Sequence, residues 1–176
     1  MNFEISKVSR IIEIGEGSRV ELDFIDILGE QEGVLVGDSA KGYVCVLAEN
    51  RKTETYPPRP FRVNAGAIHQ YIQMGNDTTK YLSEIEPGDK VLVTDGKSER
   101  FVAVGRVKIE KREFIKIFLE SGISATLQCA DSIFIGGNKE VLHLVDLKEN
   151  DEVGFISESN CARHKGRAVD EYIEEK

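Results

Sequence analysis

The segment LSEIEPGDKV, Leu82–Val91, returns sixty-two residues later as LVDLKENDEV, Leu144–Val153, aligned position by position, and an earlier echo is IIEIGEGSRV, Ile11–Val20. In each copy two apolar residues three apart precede a turn. Gly88, Asn150 and Gly17 stand at the position that tolerates a left-handed backbone, and a strand follows. The reading is a chain of small β modules entered by one kind of turn. Duplication and convergent punctuation both account for it, since an acidic residue with Gly or Asp before a strand is common.

The rest of the chain agrees. Sixteen glycines separate short β-rich runs, and few stretches carry a 3.6-residue period. Strands are expected at 19–25, 33–37, 43–48, 68–74, 90–94, 101–109, 114–119, 125–129, 132–135, 140–143 and 152–156. That is too many for one flat sheet, so the fold class is mainly β, with repeated small β-barrel or β-hairpin modules and few short helices. The chain reads as a single domain over 1–176, divisible into two β subdomains, 1–78 and 79–176. Residues 162–176 fit a short helix or an edge strand equally.

With 176 residues, 40% hydrophobic, the chain is long enough to bury roughly 70% of its unfolded surface. A net charge of -8 and a pI near 5.0 oppose sequence-independent binding to nucleic acid or anionic lipid. No apolar run has the length of a signal core or a membrane span, which points to the cytoplasm. Cys45, Cys129 and Cys161 are an odd, scattered set without a CxxC pair, so neither a disulfide framework nor a zinc site is expected. Cys45 and Cys129 read as small packed hydrophobes.

The chemistry concentrates in RPFRVNAGAIHQY, Arg59–Tyr71. Three of the four prolines, in TYPPRP, lead into it on a stiff extended connection. On an extended backbone Arg59 and Arg62 point to opposite faces, whereas a turn at Pro60 brings them together. Guanidinium groups suit carboxylates, and Asn64 and Gly66 add an amide and close backbone approach. The plainer alternative is two arginines bracing acidic loops. If 67–74 is a strand, His69 and Tyr71 share a face and can orient a substrate or move a proton; a hydrogen-bonded face under a loop is the bland counterpart. Arg106, Lys108, Glu110 and Arg112 alternate with Val107 and Ile109 and read as a solvated outer face. ARHKG, Ala162–Gly166, is a basic loop able to cap an anion. The carboxylates and His69, His143 and His164 form no recognised metal motif, and P-loop, nucleophile-elbow, HExxH and GxGxxG patterns are absent.

Taken in order, RPFRVNAGAIHQY, TKYLSEIEPGD at 79–89 and VGRVKIEKR at 104–112 resemble the archaeal-type (type II) 3-dehydroquinate synthase family. So do EGVLVG at 32–37 with Ser39 and Gly42, Leu127-Gln128, VDLK at 145–148, Asp151–Val153, ARHKG and the terminal IEEK. Nearly the whole chain is covered. The resemblance implies NAD-dependent oxidative deamination of an amino-dideoxy-heptulosonate, then cyclisation to 3-dehydroquinate in aromatic amino acid biosynthesis; related enzymes use a divalent metal such as manganese. It implies a polyhydroxy keto-acid substrate, with Arg59, Arg62, Asn64, Lys108 and Arg163 binding it and His69, Lys80 and His164 as catalytic groups. NAD and metal ligands are not identified by it. Family members are about twice as long, with an α/β half ahead of the β-rich half. The chain departs from the family at Glu21–Ile25, where a cysteine-containing run is usual, at Asp38, a small residue elsewhere, and at Lys165, an aromatic elsewhere.

Two functions follow. One is an enzyme, or one half of a split enzyme completed by a separate α/β subunit. The other is a non-catalytic keto-acid-binding or assembly β domain. An uncovered β edge would allow self-association. If Arg62 is purely functional, Arg62→Ala is expected to abolish ligand binding with the thermal midpoint nearly unchanged.

Overall fold

In the computed structural model, residues 3–158, 162–164, 167–169 and 174–176 are described. They form a mainly β structure in which every strand pairing is antiparallel. Two strands of 21 residues dominate it, β1 (Glu4–Phe24) and β8 (Glu99–Leu119), paired from Val8↔Leu119 to Phe24↔Val104. From this ribbon the sheet continues on one side through β12 (Glu152–Ser157) to β3 (Gly42–Leu47), β10 (Phe134–Gly136) and β11 (Val141–His143). On the other it runs through β7 (Lys90–Thr94), β2 (Gly33–Gly37), β5 (Tyr71–Gly75) and β6 (Thr78–Tyr81) to the hairpin of β14 (Arg167–Val169) and β13 (Ala162–His164). A further β2–β3 pairing links the two arms. Strand β4 (Arg62–Ala67) adds to β1, and β9 (Ser124–Gln128) to β8.

The apolar runs explain where the core sits. Side chains alternate across a strand, so in β2 and β3 Val34, Val36, Val44 and Val46 enter one cluster while Leu35, Tyr43, Cys45 and Leu47 enter a second. Both faces are covered, hence the near-continuous hydrophobicity of GVLVG and GYVCVL. Among the described residues no helix is long and apolar enough to cross a membrane.

The two later copies of the turn motif share their geometry. Each opens with a 3₁₀ turn, Leu82–Glu84 and Leu144–Asp146, closed by Ile85 N–H to Leu82 O and Leu147 N–H to Leu144 O. Gly88 (φ 94°) and Asn150 (φ 73°) supply the left-handed residue. Their N–H groups donate to Val104 O of β8 and Val8 O of β1, so the copies clip the two long strands at corresponding places. The third echo fails. Ile11–Val20 lies inside β1, where Gly15 (φ 99°) and a register shift between Glu13 and Gly15 make a bulge that bends the strand.

Five strand expectations change, the first being the run expected at 19–25, which is the end of a strand that already begins at Glu4. The separate runs 101–109 and 114–119 are one strand, because residues 110–113 alternate and pair with Glu16–Arg19 without a break. The expected strand 68–74 is interrupted by a turn at Ala67–Gln70, closed by Gln70 N–H to Ala67 O, and His69 and Tyr71 share no strand face. Strands β4 and β6 were not anticipated. The described part of ARHKG is strand β13 rather than loop; Lys165 and Gly166 lie outside the described residues. Cys45 is buried as expected, but Cys129 is exposed; Cys161 lies outside the described residues.

Candidate functional site

Strand β1 carries Arg19, Glu21 and Asp23 on one face, alternating with core Val20 and Leu22. Its register with β8 sets Arg19 opposite Glu110, Glu21 opposite Lys108 and Asp23 opposite Arg106. Its register with β4 sets Glu21 opposite Asn64 and Asp23 opposite Arg62. Three strands thus bring their polar faces together. The side chains of Arg19, Glu21 and Asp23 on β1 are 5%, 8% and 5% exposed, a buried floor beneath the β8 side chains of Arg106, Lys108, Glu110 and Arg112, which keep the solvent exposure that β8 suggests.

Arg59 joins through the turn at Pro60, closed by Arg62 N–H to Arg59 O at 3.0 Å. Arg59, Arg62, Asn64 and Lys108 therefore line one cleft of about 230 Å³, with Arg19, Glu21, Glu110, Arg112 and Gln128. Arg62 binds Asp23 through Nε to Oδ1 (2.8 Å) and Nη2 to Oδ2 (3.2 Å), and Nε lies 3.3 Å from Glu21 Oε1. Arg106 Nε also donates to Asp23, at 2.8 Å. Gln128 Oε1 accepts from Arg19 Nη1 (2.7 Å) and Asn64 Nδ2 (2.8 Å). Arg59 also pairs with the buried Glu49 and stacks over Tyr56, another lining residue, at 4.3 Å.

The electrostatics follow from burial and pairing. Burial alone would raise the Asp23 carboxyl, but the hydrogen bonds from Arg62 and Arg106 outweigh it and hold the pKa below its ordinary value. Glu49 goes the other way: burial lifts its pKa to about 7, above what Arg59 can offset. Three buried polar atoms at the cleft have no hydrogen-bond partner, Arg19 Nε, Arg59 Nε and Asn64 Oδ1. Two are donors and one is an acceptor, a demand that a ligand with both carboxylate and hydroxyl groups meets.

The other expected site residues lie elsewhere. His69 sits on the Ala67–Gln70 turn and bonds Asp38, while Lys80 on β6 pairs with Asp89 at 2.9 Å. Tyr71 stacks on Tyr81 (5.1 Å) and donates its hydroxyl to Glu175 (2.9 Å). Arg163 and His164 lie on β13, with His164 paired to Arg167, itself the partner of Thr78 on β6. Neither His69 nor Lys80 lines the arginine cleft. Sequence reasoning missed Arg19, Glu21 and Gln128 as lining groups. The parity of Arg19, Glu21 and Asp23 on a β-rich run was the available signal.

The described residues hold no group of three or more His, Cys, Asp or Glu able to bind a metal ion. The arginine cleft is also smaller than the roughly 300–1,000 Å³ of sites for larger organic ligands, so it suits a compact acid and not a dinucleotide.

Comparison with known proteins matches residues 5–176 to the family described as 3-dehydroquinate synthase II C-terminal domain. A 3-dehydroquinate synthase homolog of Persephonella marina is 42% identical over 97% of this chain and 53% of its own length. The 3-dehydroquinate synthases of Methanosarcina barkeri and Methanopyrus kandleri are 39% and 38% identical, over 98% and 97% of this chain and 46% and 44% of theirs. The chain spans about half the length of these relatives. No solved structure matches it.

Proposed function

Since the chain belongs to the 3-dehydroquinate synthase II C-terminal domain family, we propose that it is the β-rich half of such an enzyme, and that its arginine cleft binds the carboxylate end of a polyhydroxy keto acid. The single observation that carries this reading is the trio of buried, unpartnered atoms at the cleft, Arg19 Nε, Arg59 Nε and Asn64 Oδ1. Lys108 and Arg112, each about two-fifths exposed, supply charge at the mouth.

In this reading the whole enzyme, completed by an α/β half, oxidatively deaminates an amino-dideoxy-heptulosonate and closes the ring to 3-dehydroquinate, in the cytoplasm. NAD would accept the hydride. The cleft is too small for it, so in this reading NAD would bind outside the cleft. The described donor set does not fit a divalent metal either, and a manganese ion would need ligands beyond it. What this chain's residues do is bind and orient: guanidinium groups fix the carboxylate, and Asn64 and Gln128 read hydroxyls.

The test is a thermal-shift titration with 3-dehydroquinate and the amino-heptulosonate, each alone and then with NAD or manganese. A saturable rise with the acids, following mass action, supports the reading. No rise with either acid, alone or with the α/β half present, overturns it. A second reading, a binding domain without turnover, draws on the Arg62–Asp23 pair, which already occupies the best-placed guanidinium. Turnover by the assembled halves excludes it.

A further inference from the structure

Ser18 and Lys111 pair one step along from Arg19 and Glu110. They line a second cleft, of about 360 Å³, together with Phe114 and Thr126, which lie two residues along β8 and β9 from Arg112 and Gln128 of the arginine cleft. His69 and Thr126 stand on its wall.

We propose that Asp38 positions His69 as the proton-transfer group of this second site. Asp38 follows β2, and its N–H donates to Ser124 O of β9 at 3.0 Å. Its side chain is 4% exposed, whereas that of His69 is 53% exposed. Asp38 Oδ1 lies 2.7 Å from His69 Nε2 and accepts from Thr126 Oγ1 at 2.7 Å. Oδ2 is buried without a hydrogen-bond partner, with Lys116 Nζ 3.9 Å away. Burial raises the Asp38 pKa, but the bonds from His69, Thr126 and Ser124 prevail and keep the carboxyl ionised.

An ionised carboxylate only accepts, so Nε2 carries a ring proton, and whenever the ring is neutral Nδ1 is the nitrogen with the free lone pair. A neutral imidazole held in that tautomer is a proton acceptor on an exposed turn, anchored to a carboxylate that two strands fix in place. The charged groups facing it are Glu16 and Lys111 from the ribbon and Lys116 beside Asp38. A fitting substrate is a compact molecule that loses a proton from a hydroxyl, an ammonium or a carbon beside a carbonyl, with the resulting negative charge near the two lysines. The identity of that substrate rests on the function proposed above; the ring geometry does not.

Two measurements test the proposal. In ¹⁵N-histidine-labelled protein above pH 8, with the resonance assigned through His69→Gln, long-range ¹H–¹⁵N spectra should show His69 protonated at Nε2. Asp38→Ala, or Asp38→Asn if the alanine variant does not fold, should mix the tautomers. In the assembled enzyme His69→Gln should lower kcat by about 10²-fold and Asp38→Asn by roughly 10-fold, each with KM changed less than about threefold and the acid limb of the pH–rate profile altered. A dominant Nδ1–H tautomer, a tautomer indifferent to Asp38, or an unchanged kcat in His69→Gln overturns the proposal. If the wild-type assembly makes no 3-dehydroquinate, the synthase reading fails while the tautomer result still decides the role of Asp38.

Discussion

Arg62 and Asp23 are directly opposed across the β4–β1 pairing and meet through two hydrogen bonds, of 2.8 and 3.2 Å, with both side chains largely buried. A guanidinium and a carboxylate in that fork geometry form one unit of structure and charge. The same arginine lines the candidate cleft.

Arg62→Ala is therefore expected to cost stability as well as binding. Removing one partner leaves buried carboxylate charge on Asp23 and Glu21, a loss on the order of 3 kcal/mol. In a chain of this length that lowers the thermal midpoint by roughly 6–12 °C. A midpoint within 2 °C of wild type would restore the expectation from sequence that Arg62 is purely functional.

Lys108→Met separates binding from folding. Its ammonium lies 3.4 Å from Glu21 and is 38% exposed, so the ion pair contributes less than about 1 kcal/mol. Affinity for 3-dehydroquinate, measured by calorimetry, should fall roughly tenfold, with little change in unfolding. Unaltered affinity would remove Lys108 from the site.

Glu49 predicts a pH dependence. Its carboxyl is raised from an ordinary 4.5 to about 7 in the folded chain, so between those values the native state holds the extra proton. Stability from this group is complete below pH 4.5 and is lost as pH rises through 7, by on the order of 3 kcal/mol. Denaturant titrations of Glu49→Gln should lack that decline. An equal slope in both proteins would assign the dependence to another group.

Two glycines with similar left-handed backbones should differ sharply. At Gly66 (φ 98°) a Cβ would meet Thr126 O at 2.4 Å and Gln70 Nε2 at 2.6 Å, whereas at Gly88 (φ 94°) nothing lies within 4 Å. Gly88→Ala should cost about 1 kcal/mol from backbone strain alone. Gly66→Ala should cost at least about 3 kcal/mol, because β4 and β9 must part. Equal losses in chemical denaturation would mean that β9 yields at no cost.

Much of the fold was legible locally. The runs GVLVG, GYVCVL and KVLVT carry their burial in their composition, and the paired turns at Leu82 and Leu144 are set by residues within ten positions of one another. The interruption at Ala67–Gln70 was not legible, because it depends on Gln70, whose side chain accepts from Thr126 N–H and donates to Ala65 O. A buried glutamine satisfying distant backbone groups leaves no periodic trace.

The sequence by itself determined the β class, the clustering of Arg59, Arg62 and Asn64 in one short segment, and the family, since each is carried by residue types and short-range order. Only the tertiary structure decided that these three share a cleft with Lys108 and Arg19 while His69 faces another. The reason is register. A side chain's face follows from strand parity, but which faces meet is set by how β1 aligns with β4 and β8, and that alignment is fixed by contacts between residues some 40 to 110 positions apart.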